Sequence, residues 1–259
     1  MRGRHPQGPP HRSMQADLIR PISEALDDGA WQGRRAFVIG GGSSLADFDF
    51  SRLAGELTIG INAGIYLKPP PTIAYAADIR FMQMVEAEGS WTSLPSLKVV
   101  HNCIKGQAES GMLKPETMGG TYYLPIKRKG GWGHSLSKGD ERCGAVAAGF
   151  SGAVCLNLAD ILGASPIYMM GFDCYRNQNT SHYHDKYPDD WKTADCMYDK
   201  FRRVLNSFVS FPKADVYHLR SPGAPPSGAD AFSSMVYDDV LPGGSPEIIN
   251  FEATTDECV

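Results

Sequence analysis

The chain has 259 residues, 42% of them apolar and 21% charged, with a formal charge of -4, which suits one sizeable α/β domain with a full core. That charge gives no reason to invoke nucleic acid or an anionic membrane as a bulk partner, and no apolar run approaches the roughly 20 residues of a membrane span. The six cysteines show no CxxC pair and no zinc-like spacing, a pattern of reduced thiols held mostly in a core.

Residues 1–14 (MRGRHPQGPPHRSM) are basic but lack the apolar stretch of a secretion signal. They read as a disordered leader, and a cytoplasmic protein is expected. Gln15 to Trp31 predicts a capping helix, begun or interrupted at Pro21. Arg35 to Ile39 is the first strong strand and runs into Gly40-Gly41-Gly42-Ser43-Ser44, followed by a short helical or turn segment to Leu53. A strand emptying into glycines lets backbone N–H groups approach a phosphate. The spacing is not GxGxxG and no P-loop lysine follows, so a ligand loop and a tight turn both fit.

Leu57 to Ile61 predicts a second strand, ending at Asn62, whose amide offers an acceptor and two donors to a base or sugar or serves an ordinary turn. Thr72 to Ala77 is a third strand, closed by Asp78. The following helix, Ile79 to Glu88, carries Met82 and Met84 as packing residues. Three strands in succession that end in a polar residue or glycine loop predict a ligand edge. Leu97 to Asn102 is another strand. From Cys103 to Gly149 the pattern dissolves, apart from a strand over Tyr122 to Ile126. A long loop inside a compact domain is a functional lid or is disordered, and Lys127, Arg128, Lys129 and Lys138 make this one basic enough to cover a phosphate or to be a solvated surface loop.

The stretch from Gly149 to Tyr175 is the most informative. Ser151-Gly152 opens a helix with apolar residues at Val154, Leu158 and Ile161, Gly163 stops it, and Pro166 to Met170 is a strand buried on both faces. Asp173 and Tyr175 fall just past that strand, where open α/β sheets place ligand chemistry. His182, Tyr183, His184, Asp185, Tyr187 and Asp189 then crowd into eight positions. Histidine suits acid/base work near neutral pH. The pair also fits two metal ligands with Asp185, or a plain polar loop. Trp191 to Phe211 predicts an amphipathic helix, Asp215 to Leu219 a last parallel strand, and Asp230 to Val240 a helix before a flexible tail over 241–259.

Laid side by side, these loops resemble the bacterial lipooligosaccharide sialyltransferases, and also related phage and archaeal proteins similar to 6-hydroxymethylpterin diphosphokinase. The family's glycine loop matches Gly40 to Leu45, with Gly41 where the sialyltransferases have an asparagine. Its asparagine after the next strand matches Asn62. Its Ser-Gly before a helix matches Ser151-Gly152, its Gly-x-Asp-x-Tyr matches Gly171 to Tyr175, and its histidine loop looks like Ser181 to His184. The resemblance implies a Rossmann-like (GT-A-like), mostly parallel sheet flanked by helices, in one domain over 15–240 with a lid-like region at about 103–149.

It further implies that Gly40, Gly41, Gly42, Ser43, Ser44, Asn62, Asp78, Ser151, Gly152 and Asp173 hold a nucleotide. Tyr175, with Tyr183 or a lysine of the lid, would then hydrogen-bond the departing phosphate, and His184, with His182 as second choice, would take the acceptor's proton. Three readings follow. The first is a glycosyltransferase using a nucleotide-activated donor and a carbohydrate or other hydroxyl acceptor, with no cofactor required. The second is a Mg²⁺-dependent pyrophosphokinase, with Asp78, Asp173 and Asp185 supplying carboxylates. The third is a non-catalytic nucleotide-binding or structural protein. An oligomer fits any of them.

Overall fold

A computed structural model of the chain describes residues 19–127, 131–136, 144–146, 149–175, 182–188, 191, 195–221, 229 and 231–241. The expected leader, the tail beyond 241, Arg128, Lys129, Lys138 and Asp189 lie outside them. Among the described residues there are nine strands: β1 (Ile19–Pro21), β2 (Ala36–Ile39), β3 (Leu57–Ile61), β4 (Ile73–Ala76), β5 (Leu97–His101), β6 (Thr121–Leu124), β7 (Ile167–Met170), β8 (Val216–Arg220) and β9 (Ser233–Val236). They form one sheet in the order β1-β6-β5-β4-β3-β2-β7-β8-β9, and every neighbouring pair is parallel. The α/β expectation is thus met.

The helices are α1 (Ile79–Glu88), α2 (Asn102–Glu109), α3 (Ser151–Ile161), α4 (Asp195–Asn206) and the single turn α5 (Tyr237–Val240). A parallel sheet needs cover on both faces, and the strand alternation supplies it. Ala36 and Val38 of β2, with Ile73 and Tyr75 of β4, pack into the core around α3. Ala74 and Ala76 face α1, and Phe37 and Ile39 face α5 and Leu45. Helix α3 is apolar all round, and every residue from Gly152 to Ile161 is buried, as expected of a helix in the centre of a fold. Its two buried polar residues, Asn157 and Asp160, are satisfied. Asn157 Oδ1 accepts from the amides of Gly133 (3.0 Å) and Val146 (2.8 Å). Asp160 accepts from the Trp132 indole (2.7 Å) and the Lys213 amide (2.8 Å). The described parts of the presumed lid region are therefore pinned to α3, with Trp132, Leu136, Ala145 and Val146 in the core.

Several sequence expectations need correction. The described part of the capping-helix segment, from Ile19, is edge strand β1 followed by one short turn, Ile22–Glu24. Pro21 is tolerated because an edge strand can forgo an N–H bond. The segment after Cys103 does not dissolve at once but forms α2, weakly amphipathic and burying only Ile104. The strand at 215–219 is not the last, since Ser233–Val236 adds β9 beside it, and the helix expected there shrinks to α5. The amphipathic helix α4 covers the middle of the span expected for it. Among the four described cysteines, only Cys155 is buried; all four are free thiols. No helix among the described residues is long and apolar enough to cross a membrane.

Candidate functional site

The sheet order reverses direction at β2. Strands β3, β4 and β5 follow on one side of it, and β7 and β8 lie on the other. The carboxyl ends of β2 and β7 therefore flank the topological switch point, where such sheets leave a crevice for ligand. A cavity of about 770 Å³ opens there, within the usual range for small-molecule sites.

The glycine run on one side of the crevice is shaped by the chain on the other. The Gly40 amide donates to the Met170 carbonyl (2.8 Å) and the Gly42 amide to the Gly171 carbonyl (2.9 Å). A side chain at Gly42 would place its Cβ 2.6 Å from the Asp173 carboxyl carbon and 2.7 Å from the Gly171 oxygen. Asp173, only 3% exposed, accepts from the Ser44 amide (2.8 Å) and the Ser44 hydroxyl (2.6 Å). Burial pushes its pKa up, while the bonds from Ser44 oppose that shift. The glycines thus serve first as a close-packed seam, and the amides of Gly40, Gly42 and Ser44 are spent on protein acceptors.

Ten of the fourteen residues singled out in the sequence line this cavity: Gly40, Gly41, Gly42, Asn62, Asp78, Ser151, Gly152, Asp173, Tyr175 and His182. Ser43, Ser44, Tyr183 and His184 stand behind its wall. Tyr183 packs on Phe50 with ring centres 5.4 Å apart, and its amide donates to the Gly41 carbonyl (3.2 Å). His184 stacks on His182 (5.2 Å) and meets the Tyr187 ring edge-on (4.6 Å). Burial, then the neighbouring His182, push the His184 pKa down to about 4. Burial also lowers that of His182, so both rings are neutral at pH 7. Burial, and after it Asp173, raise the Tyr175 pKa, so its phenol keeps its proton.

Asn62 sits at φ +49°, in the left-handed region that asparagine tolerates better than most residues. Its side chain and the Ala63 amide hydrogen-bond the Tyr187 hydroxyl. Asn62 Oδ1 is left buried with no partner among the described residues, at the lip of a cavity that its residue lines.

Other lining residues carry no role in the sequence reading: His101 and Cys103 at the end of β5, and the aromatic wall of Tyr187 and Trp191. The first pair was findable. The rule that strand ends carry ligand groups, which marks β2, β3, β4 and β7, points at the end of β5 to His101.

No protein-family model and no curated protein matches the sequence. Solved structures are similar in fold at low identity. The sialyltransferase CstII from Campylobacter jejuni, in complex with cytidine-5'-monophosphate, is 14% identical, with 78% of this chain and 85% of that one covered at a TM-score of 0.46. The same enzyme with CMP-3FNeuAc is 13% identical, with 78% and 86% covered at 0.44. The MAf glycosyltransferase from Magnetospirillum magneticum AMB-1 is 15% identical at a TM-score of 0.42, with 74% of this chain covered. This chain spans 33% of that glycosyltransferase's length.

Proposed function

We propose that this protein is a glycosyltransferase that takes its sugar from a nucleotide-activated donor and transfers it to a hydroxyl acceptor. One observation carries the reading. Segments far apart in sequence, the glycine loop, Asn62, Ser151-Gly152, Asp173 with Tyr175, and His182, converge on a single cavity at the switch point of a parallel sheet.

In this reading the nucleotide lies along the seam between Gly41 and Asn62, where Asn62 Oδ1 accepts from the base or ribose. His182 replaces His184 as the base, because His182 lines the cavity and His184 backs it. A neutral imidazole there takes the proton of the acceptor hydroxyl as its oxygen bonds to the anomeric carbon. The bond from that carbon to the phosphate oxygen breaks, and the nucleotide leaves with the electron pair. The protonated Tyr175 phenol donates to the leaving phosphate, where charge develops. Asp173 stabilises the loop and does not touch the ligand.

The test is a thermal-shift panel of CMP-, UDP-, GDP- and ADP-linked sugars and ATP, each with and without Mg²⁺, followed by turnover of whatever binds. Ligand at about 100 times its dissociation constant stabilises by roughly 2.7 kcal/mol. The expected result is a metal-independent response to one nucleotide-sugar class. His182→Ala should keep that response and lose turnover about 10²- to 10⁴-fold. A response to ATP with Mg²⁺ alone favours the pyrophosphokinase instead, and silence across the panel removes both enzymatic readings.

A further inference from the structure

Where β5 passes into α2, the cavity is lined by His101 and Cys103, a pair that has no part in the mechanism above. His101 caps α2, its Nδ1 accepting from the Cys103 amide at 3.1 Å. The same nitrogen lies 2.9 Å from the Cys103 sulfur, a second contact that capping does not require. With Nδ1 accepting, the proton of the neutral ring sits on Nε2. Burial lowers the His101 pKa, which keeps the ring neutral at pH 7. Cys103 is an exposed free thiol, and partial burial raises its pKa. The thiol therefore keeps its proton at rest, with a neutral imidazole within reach to take it, as in a nucleophile paired with its base.

Two further groups point to a ligand beside this pair. Tyr75 is 0% exposed and lines the cavity, and its hydroxyl has no partner among the described residues. Burial, then Cys155 and Cys103, raise its pKa, so the phenol keeps its proton within electrostatic reach of the Cys103 sulfur. Gln107 follows Cys103 by four residues and so shares its face of α2. It also lines the cavity, and its Oε1 is buried without a partner among the described residues. Buried polar atoms are normally satisfied. Here one donor and one acceptor flank a thiol and its base with nothing to bond.

We propose that Cys103 is a covalent modification site, at which a small amide-bearing disulfide such as glutathione disulfide is taken up as a mixed disulfide. The Cys103 sulfur attacks one sulfur of the disulfide as its proton passes to His101 Nδ1. The new S–S bond forms as the old one breaks, and the departing sulfur leaves with the electron pair. The Tyr75 hydroxyl donates to that sulfur, where charge develops, and the imidazolium then gives it the proton. One thiol and one disulfide enter, and one mixed disulfide and one thiol leave. Gln107 Oε1 accepts an amide N–H of the half retained, which occupies the β5 end of the cavity until a reducing thiol reverses the step. The site does not depend on the nucleotide-sugar reading, and the two can fail separately.

Peptide mapping by mass spectrometry tests this on the full chain, incubated with glutathione disulfide or with bis(2-hydroxyethyl) disulfide, and yields a rate for each cysteine. Cys196, exposed on α4 and outside the cavity lining, is the internal reference. Cys103 should take up glutathione at least about tenfold faster than Cys196 and release it to dithiothreitol. Its preference for glutathione disulfide over the hydroxyethyl compound, which has no amide, should exceed that of Cys196 by about threefold. His101→Asn keeps a capping oxygen on α2 and should slow Cys103 by about tenfold while leaving Cys196 unchanged. Tyr75→Phe keeps the ring in the core and should slow Cys103 by about threefold. Equal rates at Cys103 and Cys196 overturn the proposal, as does a Cys103 rate unmoved in both variants. The same preference between the two disulfides at both cysteines overturns it as well.

Discussion

Asp173 and Ser44, 129 residues apart, fasten the two halves of the cavity: one carboxylate oxygen takes the Ser44 amide and the other its hydroxyl. Asp173→Ala leaves a part-buried amide and hydroxyl without their acceptor, which costs about 1–3 kcal/mol. Asp173→Asn keeps one oxygen, and the Ser44 hydroxyl can turn to accept from the new amide, so its loss should be smaller. Denaturant midpoints of the two variants separate these cases. Equal losses would mean that the charge, rather than the two-point geometry, makes the fastening.

The glycine seam makes a paired prediction. Gly42→Ala drives a methyl to 2.6 Å from the Asp173 carboxyl, and should destabilise by about 1–3 kcal/mol as an overpacked site does. Gly106→Ala, in α2, meets nothing within 4 Å and should stabilise by about 0.5–1 kcal/mol through helix propensity. Thermal melts of both variants check the signs. A neutral Gly42→Ala would show that the loop has room to shift away from Asp173.

Asn62 combines a backbone role with a ligand-facing one, and two substitutions divide them. Asn62→Gly accepts the φ of +49° but removes the amide, so nucleotide affinity should fall about tenfold with little loss of stability. Asn62→Ala should lose the same affinity and about 1 kcal/mol of stability as well. Binding titrations alongside denaturation give both numbers. Unchanged affinity in the glycine variant would remove Asn62 from the nucleotide site.

Stability should fall on the acid side of neutrality. His218 on β8 is 2% exposed, and burial, then Arg220, push its pKa down to about 4; His184 is lowered to about 4 as well. Both are bases held neutral in the fold, so the unfolded chain binds more protons between pH 6.5 and 4. Their contribution is complete above about pH 6.5 and is lost as pH drops towards 4, on the order of 3 kcal/mol for each. Unfolding free energies from pH 8 to pH 5 should show this slope, and His218→Gln should remove a share of it. A flat profile would show that neither ring is held neutral.

The middle of the sheet was legible because its strands are buried on both faces and so are written as short apolar runs. Leu57–Ile61 and Ile79–Glu88 match the elements read from the sequence to the residue, and in the fold Asp78 caps the latter and Gly89 stops it. The edges were not legible. Ile-Arg-Pro of β1 and Ser-Ser-Met-Val of β9 are too short and too polar to show a period, and pairing partners distant in sequence make them strands. Helix α2 hid behind a central glycine and a single buried side chain. In the site, strand ends announced Asn62, Asp173 and Tyr175. Which of His182 and His184 lines the cavity could not be read, because it depends on the path of a loop that crosses back over Gly41.

The burial of α3 on every side has a mechanical consequence. A helix with no free face has no direction in which to slide, so the wall that begins at Ser151 behaves as a fixed jaw. Packed beside its start, where Phe201 stacks on Phe150 with ring centres 4.6 Å apart, α4 contributes Met197, Tyr198 and Phe201 to the cavity and, among its described side chains, buries only Leu205. Of these two cavity walls α4 is the more lightly anchored, which makes it the natural place for a fluorescent reporter of ligand entry.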